Sequence, residues 1–317
     1  MRLAVATDWG DSKSAFFWNK DGFLRMLQVL RDRDGWEIMY FRKHPTNTFK
    51  WSHDCVEAHI SPDPAKHLRE WKPDAILFFC DFSRPILGEL EDMKVPKAIC
   101  YTGGRFTQYA HVPDVVFTES KSYIDWMRSH GVKKVIQAFG TNTELFKPME
   151  QQPKYFDALF PATFASWKRH NLFADALGSR GVACGWWQPH EMEVLEHAFS
   201  KRVGILHHQM AESIALLLNM SRSVVVTSND HGGSQRTVLE AMACNIPLVV
   251  MSDSTMTSEY VRECGQGYIV DPNPDSIRDA VDEAMIHSVD TRPWVMENYS
   301  EYVYADKVRD GILSVKL

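Results

Sequence analysis

Short apolar runs alternate along this chain with longer stretches whose apolar residues recur every three or four positions. The first pattern predicts strands and the second predicts amphipathic helices. In the first half the strands are RLAVAT (2–7), WEIMYF (36–41), DAILFFC (74–80), KAICY (97–101), VVFT (115–118) and KVIQAF (134–139). Helical stretches such as GFLRMLQVLRD (22–32) and SYIDWMRSH (122–130) lie between them. Strands that alternate with helices mark parallel sheets with crossover helices, so the predicted fold class is α/β.

The run GTNTELFKPMEQQPK (140–154) is polar, carries two prolines and breaks the alternation, which places a crossing between domains near it. The pattern then restarts with strands at FDALFPA (156–162), GVACGWW (181–187), RVGIL (202–206), SVVVTS (223–228), PLVVMS (247–252) and GYIV (267–270). Helices are predicted notably at AESIALLLN (211–219) and QRTVLEAMAC (235–244). From Asp275 to Leu317 the chain reads as all helical around Arg292-Pro293-Trp294, a tail that needs a surface to pack on. The predicted division is a first lobe at 1–147, a second at 148–290 and terminal helices at 291–317.

Composition agrees with two lobes, since 317 residues exceed one ordinary core at ~100–200 residues per domain. A net charge of -6 and the lack of a Lys/Arg stripe argue against a nucleic-acid partner. The apolar run before Asp8 is too short for a signal peptide, and no stretch approaches the ~20 apolar residues of a membrane helix. A cytoplasmic location is expected, with any membrane acceptor met at the surface. The six cysteines are scattered without a CxxC and read as reduced thiols. His207 and His208 adjoin on one strand end and point to opposite faces, so no metal site is predicted.

The segments GTNTELFKP (140–148), AESIALLLNMSRSVVVTS (211–228) and GGSQRTVLEAMACNIPLVV (232–250) resemble the large retaining GT-B family of group 1 glycosyltransferases, known as family GT4. The likeness covers about a third of the chain, and the first 130 residues share only the order of strands and helices. It implies the GT-B fold: two Rossmann-like lobes facing a cleft, a nucleotide-sugar donor held mainly by the second lobe, and C-terminal helices that cross back to the first.

Read from residues alone, SNDHGGS after strand SVVVTS puts a glycine-containing loop at the carboxyl edge of a parallel sheet, where ligands bind. Gly232 and Gly233 allow close backbone approach, and the amides of Ser234, Gln235, Arg236 and Thr237 suit a pyrophosphate; a plain glycine turn with a polar cap is the other reading. The resemblance makes Glu240 the second glutamate of the family's E-x7-E motif, bonding the donor ribose. The first glutamate falls on Gly232, so Asp230 or His231 is the candidate to take its task. Lys168 in PATFASWKRHNLFADAL matches a phosphate-facing lysine, whereas Thr163 stands where the family has an arginine. Arg169 or Arg236 is the candidate replacement, because a leaving diphosphate needs a cation to offset its growing charge.

In the first lobe Tyr101 and Thr102 occupy the place where the family often has a histidine, and the nearest histidine is His111. The Phe16, Phe17 and Trp18 run and the Gly103, Gly104 and Arg105 turn are candidate acceptor contacts, each also readable as core or as a bland turn. The expected function is retaining transfer of a sugar from a UDP- or GDP-type donor to an acceptor hydroxyl of a glycan, a lipid-linked molecule or a small molecule. No separate cofactor is expected, the sugar nucleotide being substrate. The alternative is a non-catalytic sugar-nucleotide or carbohydrate binder with a degenerate site.

Overall fold

The computed structural model describes residues 1–7, 22–44, 48–53, 56–101, 109–187, 189–207, 209–230 and 236–316. The chain divides into two compact units, Met1–Gly140 with Glu301–Leu317, and Thr141–Ser300.

The first unit contains β1 (Arg2–Thr7), β2 (Glu37–Lys43), β3 (Phe49–His53), β4 (Val56–Ser61), β5 (Ala75–Cys80), β6 (Lys97–Tyr101), β7 (Val115–Thr118) and β8 (Val135–Gln137). They form one sheet in the order β3-β4-β2-β1-β5-β6-β7-β8. Every pairing is parallel except β3 with β4. The period of two along a strand sends Leu3, Val5 and Leu77 to one apolar cluster and Ala4, Ala6, Ile76 and Phe78 to the other. Helix α1 (Gly22–Asp32) covers the first cluster with Phe23, Met26, Leu27 and Leu30, spaced to share one helix face. Leu68 of α2 (Pro64–Trp71), Ile86 and Leu87 of α3 (Pro85–Glu89) and Met127 of α4 (Ser122–Ser129) join the second.

The second unit is built on β9 (Phe156–Pro161), β10 (Gly181–Gly185), β11 (Gly204–His207), β12 (Ser221–Val226), β13 (Leu248–Met251) and β14 (Tyr268–Val270). Their order is β11-β10-β9-β12-β13-β14, with every pairing parallel. Around them lie α5 (His170–Leu177), α6 (Met192–Ser200), α7 (Ala211–Met220), α8 (Arg236–Ala243), α9 (Thr255–Cys264), α10 (Pro274–Ala284) and α11 (Arg292–Tyr299). Helix α5 packs with α6 and α10, and α8 packs with α9 and α11.

Both unit borders differ from the predicted ones, for a hydrogen-bonding reason. The Arg292 guanidinium donates to the carbonyls of Thr143, Phe146 and Ala243 at 2.8–2.9 Å. Asn219 receives Met149 N at 2.8 Å and donates to the Lys147 carbonyl at 3.0 Å. These bonds anchor the segment after Gly140 in the second unit, so the first border falls at 140/141 rather than 147/148. They also keep α11 there, so the predicted tail splits at Ser300. The next element, α12 (Glu301–Leu313), belongs to the first unit and packs on α1. Arg25 and the wholly buried Glu301 join those two helices at 3.7 Å. No helix among the described residues is long and apolar enough to cross a membrane.

Candidate active site

Strands β10, β9, β12 and β13 are parallel neighbours, so their carboxyl ends open on the same edge of the second sheet. Beyond β9 the chain stays extended against β10: Ala162 N donates to Cys184 O at 2.9 Å and Phe164 N to Trp186 O at 2.8 Å. The approach is so close that a Cβ on Gly185 would stand 1.9 Å from the Ala162 carbonyl oxygen. Only glycine permits it. The chain then makes a tight 3-10 turn, Ser166–Lys168, and enters α5 through Arg169 in the left-handed region at φ 55°.

This turn is bonded to the end of β12. Thr227 Oγ1 donates to the carbonyls of Lys168 at 2.7 Å and Arg169 at 3.1 Å. Arg169 Nε returns a bond to the Thr227 carbonyl at 2.5 Å, and Asn229 N donates to Trp167 O at 3.2 Å. A third loop joins through Asp253, which takes both terminal nitrogens of Arg169 at 2.6 and 2.8 Å. Those charge-assisted bonds hold the Asp253 carboxyl below its usual range. Asp230 accepts from Thr255 N at 2.6 Å and from Thr255 Oγ1 at 3.1 Å, bonding the first residue of α9. Thr237 Oγ1 donates to Pro161 O at 2.9 Å and ties the start of α8 to the end of β9.

The structure therefore links Lys168, Arg169, Asp230 and Thr237 to one sheet edge. Arg236 and Glu240 stand four residues apart on α8, hence on one helical face. Lys168 and Glu240 are both buried, with 8% and 6% exposure, so ionic contacts made there are little weakened by water. Gly232, Gly233, Ser234 and Gln235 lie outside the described residues, as do His231, Thr102, the Phe16, Phe17 and Trp18 run and the Gly103, Gly104 and Arg105 turn. Thr163, in the place of the family's arginine, is exposed at the same edge.

His170, the first residue of α5, is buried between Phe160 and Phe164, with ring centroids 4.5 and 4.2 Å away. Burial, reinforced by the Lys168 cation and only partly opposed by the Ala162 carbonyl, pushes its pKa down to about 3. It is a neutral imidazole at ordinary pH. At the neighbouring strand ends His207 is exposed, with the Trp187 ring edge-on at 4.5 Å. In the first unit Tyr101 is buried at the end of β6, and His111 pairs with Glu91 at 2.7 Å on the surface. Among the described residues no group of three or more His, Cys, Asp or Glu could hold a metal ion.

Sequence reading missed Gly185, Thr227, Asp253 and Thr255. A glycine inside a strand run and a Ser/Asp/Thr cluster between strand and helix were the available signals. The pairing of Arg169 with Asp253 left none, because it joins loops far apart in the chain.

Two Rossmann-like domains with parallel sheets and interleaved helices are the GT-B glycosyltransferase architecture, and solved structures of that class match the chain along its length. Sucrose-phosphate synthase from Thermosynechococcus elongatus matches with a TM-score of 0.75 at 15% identity, covering 98% of this chain and 97% of that one. HepE from Anabaena, in complex with UDP and glucose, matches with a TM-score of 0.75 at 11% identity over 99% and 100%. A trehalose-6-phosphate synthase, analysed with bisubstrate glycomimetics for glycosyltransfer with retention, matches with a TM-score of 0.72 at 11% identity over 100% of both chains. The sequence pattern of the glycosyl transferases group 1 matches residues 141–301, just over half of the chain. The chain belongs to that glycosyltransferase family. No curated protein matches it.

Proposed function

We propose that this protein is a retaining glycosyltransferase of the GT4 type that moves a hexosyl group from a nucleoside diphosphate sugar to an acceptor hydroxyl without a metal ion. The observation that carries this reading is the bonded sheet edge of the second unit, which sets buried Lys168 beside the end of β12 and ties the start of α8 to the end of β9. Lys168 and the amides of Arg236 and Thr237, which open α8, supply positive potential for a diphosphate. Glu240, one turn further, accepts hydrogen bonds from the ribose hydroxyls. HepE, of like fold, binds UDP and glucose, and the trehalose-6-phosphate synthase work concerns transfer with retention; both support the reading. In such a reaction the leaving diphosphate takes the acceptor proton as the new glycosidic bond forms, so the protein contributes position and charge.

The test is release of UDP or GDP from a panel of sugar nucleotides offered with a panel of acceptors. Release from at least one donor, suppressed by Lys168→Ala or Glu240→Ala, is the expected result. A second reading, a sugar-nucleotide binder without turnover, draws on the fact that Asp230 and Arg169 already bond other loops. Tight calorimetric binding without release across the panel would select it, and no binding at saturating nucleotide would remove both.

A further inference from the structure

We propose that Arg169 and Asp253 form a positioning pair for the donor site, whose bridge fixes the Lys168 turn against the loops that follow β12 and β13. This rests on the donor-site reading given above and assigns Arg169 an orienting task in place of a direct phosphate contact.

Four observations converge on it. The guanidinium reaches Asp253 through two parallel bonds of 2.6 and 2.8 Å, and Nε reaches the Thr227 carbonyl at 2.5 Å. Such a fork has one geometry, which a lysine cannot reproduce. Thr227 Oγ1 returns to the carbonyls of Lys168 and Arg169, so the backbone carrying Lys168 is gripped from both sides of the same ring of bonds.

The backbone conformation is the third. At φ 55° Arg169 occupies a region that disfavours any residue with a Cβ and suits glycine. An arginine there costs conformational energy that a glycine would not, and its guanidinium is what the turn gains in return. The fourth is electrical. Asp253 neutralises the guanidinium at contact distance, which weakens it as a substitute for the arginine missing at Thr163 and leaves that part to Lys168 and Arg236. Two residues beyond Asp253, Thr255 is held by Asp230, so the loops after β9, β12 and β13 form one cross-linked edge.

The experiment compares Arg169→Gly, Arg169→Lys, Asp253→Asn and the Arg169→Gly/Asp253→Asn double variant for nucleoside diphosphate release from the best donor. Each single variant is expected to lose about 10- to 100-fold in kcat/KM, the scale of a misplaced catalytic contact. The double variant should lose no more than the worse single one, because one bridge is removed either way. Arg169→Gly relieves the left-handed backbone, so its thermal midpoint should stay close to that of the parent and separate misplacement from unfolding. The acid limb of kcat/KM, reached below the ordinary carboxyl range where protonating Asp253 opens the bridge, should flatten in Asp253→Asn.

Asp253→Asn with full or raised activity, alongside weakened Arg169 variants, would instead assign Arg169 to the donor and overturn the pairing. Losses that merely follow the folded fraction would overturn it too. A parent protein that neither binds UDP or GDP nor releases them removes the underlying donor site, a failure visible before any variant is made.

Discussion

The carboxyl edge of the second sheet is crossed by polar bonds between three loops, whereas the described residues at the same edge of the first sheet include a set of aromatic contacts. Tyr101 contacts Phe82 on one side and Tyr123 on the other, and Asp81 pairs with its neighbours Ser83 and Arg84. Under the proposed function the two edges would meet two kinds of demand. A diphosphate is the same group in every donor and rewards a fixed cradle, while acceptors vary and are met by loops that vary with them.

The largest expected break in this contrast is Lys168→Ala. If Lys168 faces the leaving diphosphate as proposed, its loss should slow turnover by about 10²- to 10³-fold, read as nucleoside diphosphate release, with the fold intact by circular dichroism. Next is Gly185→Ala, whose Cβ meets backbone 1.9 Å away; it should destabilise the second unit by about 3 kcal/mol in urea, the upper end for overpacking.

Glu301→Ala probes the first unit in the same way. It removes the buried carboxylate that faces Arg25 across the two helices and should cost about 2–3 kcal/mol, seen as faster amide exchange in α1 and α12, with nucleotide binding retained. His170 gives a pH signature. Its folded pKa of about 3 lies below the ordinary ~6.5, so below that ordinary value the unfolded chain takes a proton that the folded one refuses. Stability should therefore fall as pH drops from about 6.5 toward 3, by ~1.4 kcal/mol per unit, roughly 2 kcal/mol by pH 5. His170→Phe, measured by urea unfolding across that range, should remove this share of the slope and leave that of the likewise depressed His59.

The smallest effect is expected from Gly311→Ala on α12, where the added Cβ meets the Phe117 ring. That ring is itself wholly buried, so the overlap costs about 1–3 kcal/mol; alanine's helix preference offsets ~1 kcal/mol of it, leaving a net loss of about 1 kcal/mol in the same urea assay.

Much of this was legible in the sequence, for reasons particular to each element. Strands KAICY and VVFT and helix GFLRMLQVLRD were predicted with the bounds observed, because each is a strongly patterned segment buried against its unit. The β3–β4 hairpin was not predicted, since FKWSH and VEAHIS mix polar and apolar residues at the edge of the sheet. The borders at 140 and 300 were displaced because Arg292 and Asn219, distant in sequence, decide where the connecting segment is anchored. Glu240 and Lys168 were singled out by the family pattern around them, whereas the bond between Arg169 and Asp253 exists only once three loops are folded side by side.

The parallel bridge between Thr141 and Ser300 brings the two ends of the second unit to one point. In chain topology that unit is thus a single loop inserted into the first, entering and leaving through the same doorway. Such a segment can be cut out and exchanged between relatives with one seam to repair, which makes 141–300 the natural cassette for building chimeras.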